Sequence, residues 1–86
     1  MKESTEEAFL KAQGRAFKEA RSKTRLSQSS AASKCGHGKQ WLSDIENGRN
    51  NIMFYDAYRL CEIYGISIKE LSDNIHAQIS ESVQPK

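Results

Sequence analysis

Gly36, Gly48 and Gly65 decide how long any regular element can be beyond Ser27. Each follows a short stretch whose apolar residues recur every three or four positions, and a glycine just past such a stretch is where a helix commonly stops. The chain therefore reads as a run of short amphipathic helices, and no segment reads as a strand. The first helix is expected from Thr5 to Lys23, with Phe9, Ala12, Ala16, Phe17 and Ala20 on one face. Ser27 offers an N-cap to a second helix, Gln28 to Cys35, closed by Gly36. A third, Lys39 to Asn47, turns Leu42 and Ile45 inward, with Trp41 either packed beside them or left on the outer side, but Gly38 is a poorer cap than Ser or Thr. The fourth lies within Phe54 to Tyr64, with Phe54, Ala57, Leu60, Cys61 and Tyr64 inward. Ser67 and Glu70 form an S-x-x-E capping box that opens a fifth helix through about Ile79, whose Ile68, Leu71, Ile75 and Ile79 make a narrow stripe. Residues 6–79 read as one domain, and residues 1–5 and 80–86 as frayed ends.

With 86 residues, barrels, nucleotide-binding α/β folds and two-domain arrangements are out of reach. The longest apolar run, Ile52 to Tyr55, is far short of a membrane span, and the polar start at Met1 to Glu7 is no signal peptide. Two cysteines without an export signal read as free thiols in a reducing cytoplasm. The net charge of +2 hides a segregation: residues 1–9 carry one Lys against three Glu, residues 10–50 nine basic against three acidic residues, and residues 51–86 three basic against five acidic ones. A basic centre between acidic ends suits a surface that faces a polyanion, although a solvated helix face looks the same by charge alone.

The stretch that carries function is Leu26 to Arg49, LSQSSAASKCGHGKQWLSDIENGR. Two short helices joined by a Gly-containing turn make a helix-turn-helix when they cross steeply. Such a crossing needs a small residue where the helices pass, supplied by Ala32. It needs a turn residue tolerant of positive φ, supplied by Gly36, and apolar inward positions, supplied by Ala31, Cys35, Leu42 and Ile45. His37 does not comply.

On these residues the chain resembles the XRE-type helix-turn-helix family, the fold of phage repressors and Cro proteins. Matches extend backward to Gly14, Phe17, Glu19 and Arg21 and forward through Leu60, Tyr64, Gly65, Ile66 and Ser67, covering roughly residues 13–72. The resemblance implies an all-α, compact five-helix, phage-repressor-like bundle. It also implies roles for single residues: Lys39, Gln40, Ser43 and Asp44 face base edges in the major groove. Gln28 reaches a phosphate and braces the recognition helix, while Asn47, Arg49 and Asn50 contact phosphates. Arg21 and Glu46 form a structural ion pair. The side-chain chemistry agrees: Gln40 can pair with adenine N6 and N7, Lys39 can donate to guanine O6 and N7, and each good pair discriminates by about 1–3 kcal/mol. Asp44 could accept from cytosine N4, but beside phosphates its charge mainly rejects wrong sites.

The sequence departs from the family at Ala31, where Leu is usual, at His37 in the turn, at Gly38 in place of a capping Ser or Thr, and at Ile52, where Pro is frequent. Cys35, His37, Cys61 and His76 are of zinc-ligand type, but no C-x-x-C or H-x-x-x-H pair occurs and both cysteines occupy expected core positions, so neither metal nor cofactor is expected. Cys35 and His37 lack a third orienting group, and Gly36-His37-Gly38 is no phosphate loop, so no enzyme is expected either.

The expectation is a sequence-specific, double-stranded-DNA-binding regulator, a homodimer on a two-fold-symmetric operator that represses by occluding a promoter. Control would come through concentration or a regulatory protein partner. A protein-interaction module of the same fold, antitoxin-like or antirepressor-like, is the alternative, motivated by the modest charge, Gly38 and Asp44.

Overall fold

The computed structural model describes residues 4–82, which form five helices: α1 (Thr5–Ser22), α2 (Gln28–Lys34), α3 (Lys39–Glu46), α4 (Phe54–Tyr64) and α5 (Ile68–Ser82). No strand occurs among the described residues. Residues 1–3 and 83–86, within the stretches expected to fray, lie outside the described residues. α5 runs past Ile79, so the last helix is longer than its apolar stripe suggests.

Local chemistry sets the boundaries. Ser4 and Glu7 make a reciprocal capping box at the start of α1, with Glu7 N–H donating to Ser4 Oγ at 3.1 Å and Ser4 N–H to Glu7 Oε1 at 3.0 Å. The same device opens α5, where Glu70 N–H donates to Ser67 Oγ at 3.0 Å and Ser67 N–H to Glu70 Oε1 at 2.9 Å. Ser27 accepts from Ser30 N–H at 3.0 Å and caps α2. That helix ends in a Schellman turn: His37 N–H reaches Ala32 O at 2.9 Å and Gly36 N–H reaches Ser33 O at 3.0 Å, with Gly36 at φ +78. The left-handed φ is the feature for which a glycine is needed there. Gly38 caps α3 with no side-chain bond.

α1 packs against α3 and α5, α2 packs against α3 and α4, and α4 also meets α5. Phe17, Leu42, Ile45, Leu60 and Cys61 are the large side chains fully enclosed where these helices meet. Ala31 and Ala32 are both fully buried, and Trp41 is partly buried against the same core cluster. Leu71 and Ile75 are buried, whereas Ile68 and Ile79 are only partly so. Phe54 departs from expectation: it is 70% exposed. Ala57, Leu60, Cys61 and Tyr64 already complete the inward stripe of α4, and Phe54 precedes that stripe by a turn at the very start of the helix. Cys35 is only half-buried, while Cys61 is enclosed and burial pushes its thiol up to about 11.

Gly14 fixes how closely α3 approaches α1. A Cβ at this position would lie 2.5 Å from Ile45 O and 2.6 Å from Glu46 O. Both are main-chain atoms, so α3 itself would have to move. In an exposed helix Gly→Ala gains about 1 kcal/mol of helix propensity; here the clash outweighs it. Gly14→Ala is expected to cost about 2 kcal/mol or more net, read as a lower midpoint in thermal or denaturant unfolding. Tyr64 presents the opposite case. Its ring is buried and its hydroxyl, which burial holds in the neutral form, has no hydrogen-bond partner among the described residues. Tyr64→Phe should leave stability unchanged or raise it by about 1 kcal/mol in the same assay.

Candidate nucleic-acid interface

α3 is held from behind by a charged cluster. Arg21 on α1 donates to both carboxylate oxygens of Glu46, from Nε to Oε2 at 2.7 Å and from Nη2 to Oε1 at 3.0 Å. Its third donor, Nη1, reaches Leu26 O at 3.0 Å and ties in the connection before α2. Gln28 Nε2 donates to Glu46 Oε1 at 2.9 Å, so one carboxylate joins α1, α2 and α3. The Glu46 side chain is only 2% exposed, and the hydrogen bonds from Glu46 raise the Arg21 guanidinium above its already high ordinary value. Arg21 and Glu46 thus form the structural pair expected of them. Gln28 braces α3 with the amide group that was expected to reach a phosphate as well.

The opposite side of α3 is open. Lys39 and Gln40 are exposed, Ser43 and Asp44 are half-buried, and Asn47, Arg49 and Asn50 are exposed. Helical spacing puts Gln40, Ser43, Asp44 and Asn47 on one face, away from Leu42 and Ile45, with Lys39 at the edge of that face in the first turn. Their side chains are linked to one another. Asp44 Oδ1 accepts from Gln40 Nε2 at 2.8 Å and from Arg49 Nη1 at 3.1 Å. Asn47 Nδ2 donates to Ser43 O at 2.9 Å and to Ser43 Oγ at 3.3 Å. Exposed pairs of this kind are worth about 0–1 kcal/mol, so a ligand that supplies its own donors and acceptors can displace them at little cost.

Two fixings were not anticipated from the sequence. His37, the residue out of place in an apolar turn, stacks on Trp41 with ring centroids 3.9 Å apart and 14° between planes, and its Nε2 lies 3.2 Å from Asp56 Oδ1. It thereby connects the α2–α3 turn to the first turn of α3 and to the first turn of α4. Gln13, buried in α1, donates from Nε2 to Asn50 O at 3.3 Å and holds the loop that follows α3. A polar residue on the apolar face of α1 was the available signal for Gln13. The His37–Asp56 pair is separated in sequence and gave none. Among the described residues no group of three or more His, Cys, Asp or Glu side chains gathers to hold a metal, and no helix is long and apolar enough to cross a membrane.

The arrangement of α2, the Gly36 turn and α3 has counterparts in known proteins. A family model described as a helix-turn-helix domain matches residues 13–73. The chain belongs to this helix-turn-helix family. Two crystal structures of the clp gene regulator ClgR from Corynebacterium glutamicum share its fold. One superposes with a TM-score of 0.77 at 18% identity, covering 83% of this chain and 91% of that one. The other gives 0.83 at 17% identity, covering 87% and 80% respectively. No curated protein matches in sequence. The family match spans the whole cluster that anchors α3, from Gly14 through Arg21 and Gln28 to Glu46, and reaches into α5.

The anchor of this helix-turn-helix domain makes a definite demand. Removing Glu46 leaves the Arg21 charge half-enclosed and Gln28 without its acceptor. Glu46→Ala should therefore destabilise the domain by about 3 kcal/mol in denaturant titration. Gln28→Ala, which removes a single bond, should cost about 1 kcal/mol.

Proposed function

We propose that this chain is a sequence-specific, double-stranded-DNA-binding transcriptional regulator that inserts α3 into the major groove. One observation carries the reading: α3 is fastened to α1 and α2 through Gly14, Leu42, Ile45 and Glu46, while the side chains on its other face are polar, outward and joined only by weak surface bonds. A helix placed this way is rigid where it must be positioned and free where it must read. Lys39 and Gln40 at its first turn are the base-reading pair, with Ser43 beside them and Asp44 rejecting wrong sites. Arg49, Asn47 and Asn50, at and beyond its end, serve phosphates, which set register without reading sequence. Gln28 serves a phosphate with the part of its amide that Glu46 leaves free. The family match and the shared fold of a gene regulator support the same reading.

One recognition helix covers only a few base pairs. The functional unit is accordingly a homodimer on a palindromic operator, with half-sites about one helical turn apart. Repression by promoter occlusion in the cytoplasm, with residues 6–79 as the working domain, completes the proposal. No reaction is assigned to the chain.

Selection from a pool of random duplexes should enrich a two-fold-symmetric sequence. Against it, Lys39→Ala and Gln40→Ala should each weaken binding by about 1–3 kcal/mol and relax preference at one position. Arg49→Ala should weaken all duplexes alike and reduce the salt slope by about one unit. Failure to enrich any sequence, together with salt-independent and weak duplex binding, would remove the proposal and favour the protein-interaction reading.

A further inference from the structure

Among the described residues, the exposed large hydrophobic side chains fall within one short stretch. Met53 is 72% exposed, Phe54 70%, Tyr55 62% and Tyr58 46%. Met53 is the N-cap of α4, and Phe54, Tyr55 and Tyr58 lie in its first turns within about 100° of one another around the helix, beside the stripe of inward residues Ala57, Leu60, Cys61 and Tyr64. A scattered surface hydrophobe is ordinary, but four together at one end of a short helix in a small domain are not. We propose that this face of α4 is where a second copy of the chain docks, an inference that names the dimer surface of the regulator proposed above.

Area, charge and placement select that occupant. Aromatic side chains carry about 150–250 Å² each, so the observed exposures leave roughly 500 Å² of mainly apolar surface. A stable interface removes about 800 Å² from each partner, so the apolar patch supplies more than half of what is needed and its polar rim must supply the rest. The rim is electrically balanced, with Arg59 Nε 3.7 Å from Glu62 Oε1, so self-pairing about a two-fold axis brings no excess of like charge together. A polyanion would find little to attract it here.

Placement is the stronger constraint. Two recognition helices about 34 Å apart each lie about 17 Å from the two-fold axis. The body measures 42 × 23 × 21 Å, so across its shorter directions the docking face must flank α3. The start of α4 does so: it follows α3 after the loop of residues 47–53, and it is tied to the turn before α3 by His37 Nε2 and Asp56 Oδ1 at 3.2 Å. Arg59 Nη2 also donates to Lys34 O at 3.1 Å and joins the same helix to the end of α2. A dimer made through α4 would hold two α3 helices at a fixed separation through short, stiff connections.

Sedimentation equilibrium on the full chain tests the surface without reference to DNA. The wild type should self-associate, and Phe54→Glu/Tyr58→Glu should weaken that association at least about tenfold while keeping the helical circular dichroism of the wild type. Tyr55→Lys serves as an independent variant should the double substitution fail to fold. A folded variant that associates like the wild type overturns the inference. So does a wild type that stays monomeric alone and loads as a single copy on a selected two-half-site duplex, an outcome that would assign the patch to a different protein. If the wild type dimerises through α4 and neither form binds any duplex, the surface stands and the DNA reading fails.

Discussion

The close contact of α1 with the last turn of α3 is the constraint on which the rest depends. At Gly14 the two helices approach until main-chain carbonyls of Ile45 and Glu46 lie where a side chain would otherwise be. That proximity lets Arg21, two turns further along α1, fork onto the Glu46 carboxylate with bonds of 2.7 and 3.0 Å. A buried ion pair is a weak source of net stability, because desolvation offsets much of its attraction. Its value here is geometric: Arg21 and Gln28 together leave Glu46 one favourable position, and α3 follows its own last residue.

The front of α3 follows the reverse logic. Gln40, Asp44 and Arg49 satisfy one another at the surface, as do Asn47 and Ser43. These bonds keep long side chains near defined orientations before any ligand arrives, which lowers the ordering cost of binding. None is buried deeply enough to resist exchange. The domain thus keeps its strong interactions behind the helix and its exchangeable ones in front.

Much of this was legible in the sequence, because much of it is written in local rules. Ser27, Gly36, Gly65 and the Ser67–Glu70 pair marked helix limits to within a residue or so, since caps and left-handed turns act over four or five positions. The five helices and most of their inward faces followed from spacing. The expected Arg21–Glu46 pair, carried by the resemblance to a known family, stands in the structure. What escaped was non-local or positional. Phe54 has the right spacing to face inward and does not, because periodicity says which way a residue points and not where the neighbouring helices end. The pairing of His37 with Asp56 joins residues far apart in the chain, with no pattern to announce it. The His37–Trp41 stack turns an apparent defect in an apolar turn into a fixing point. Gln13 on the apolar side of α1 likewise finds its partner far along the chain, in the Asn50 carbonyl.

Because Gly14 grips α3 by its backbone, the fit behind that helix is indifferent to most of the side chains it displays. Positions 39, 40 and 43 can then be exchanged in descendants of this chain without reopening the question of whether the chain folds. Mutational drift at the front is therefore cheap. Drift at position 14, 21 or 46 has no such freedom, since each change there must be answered by another across the contact.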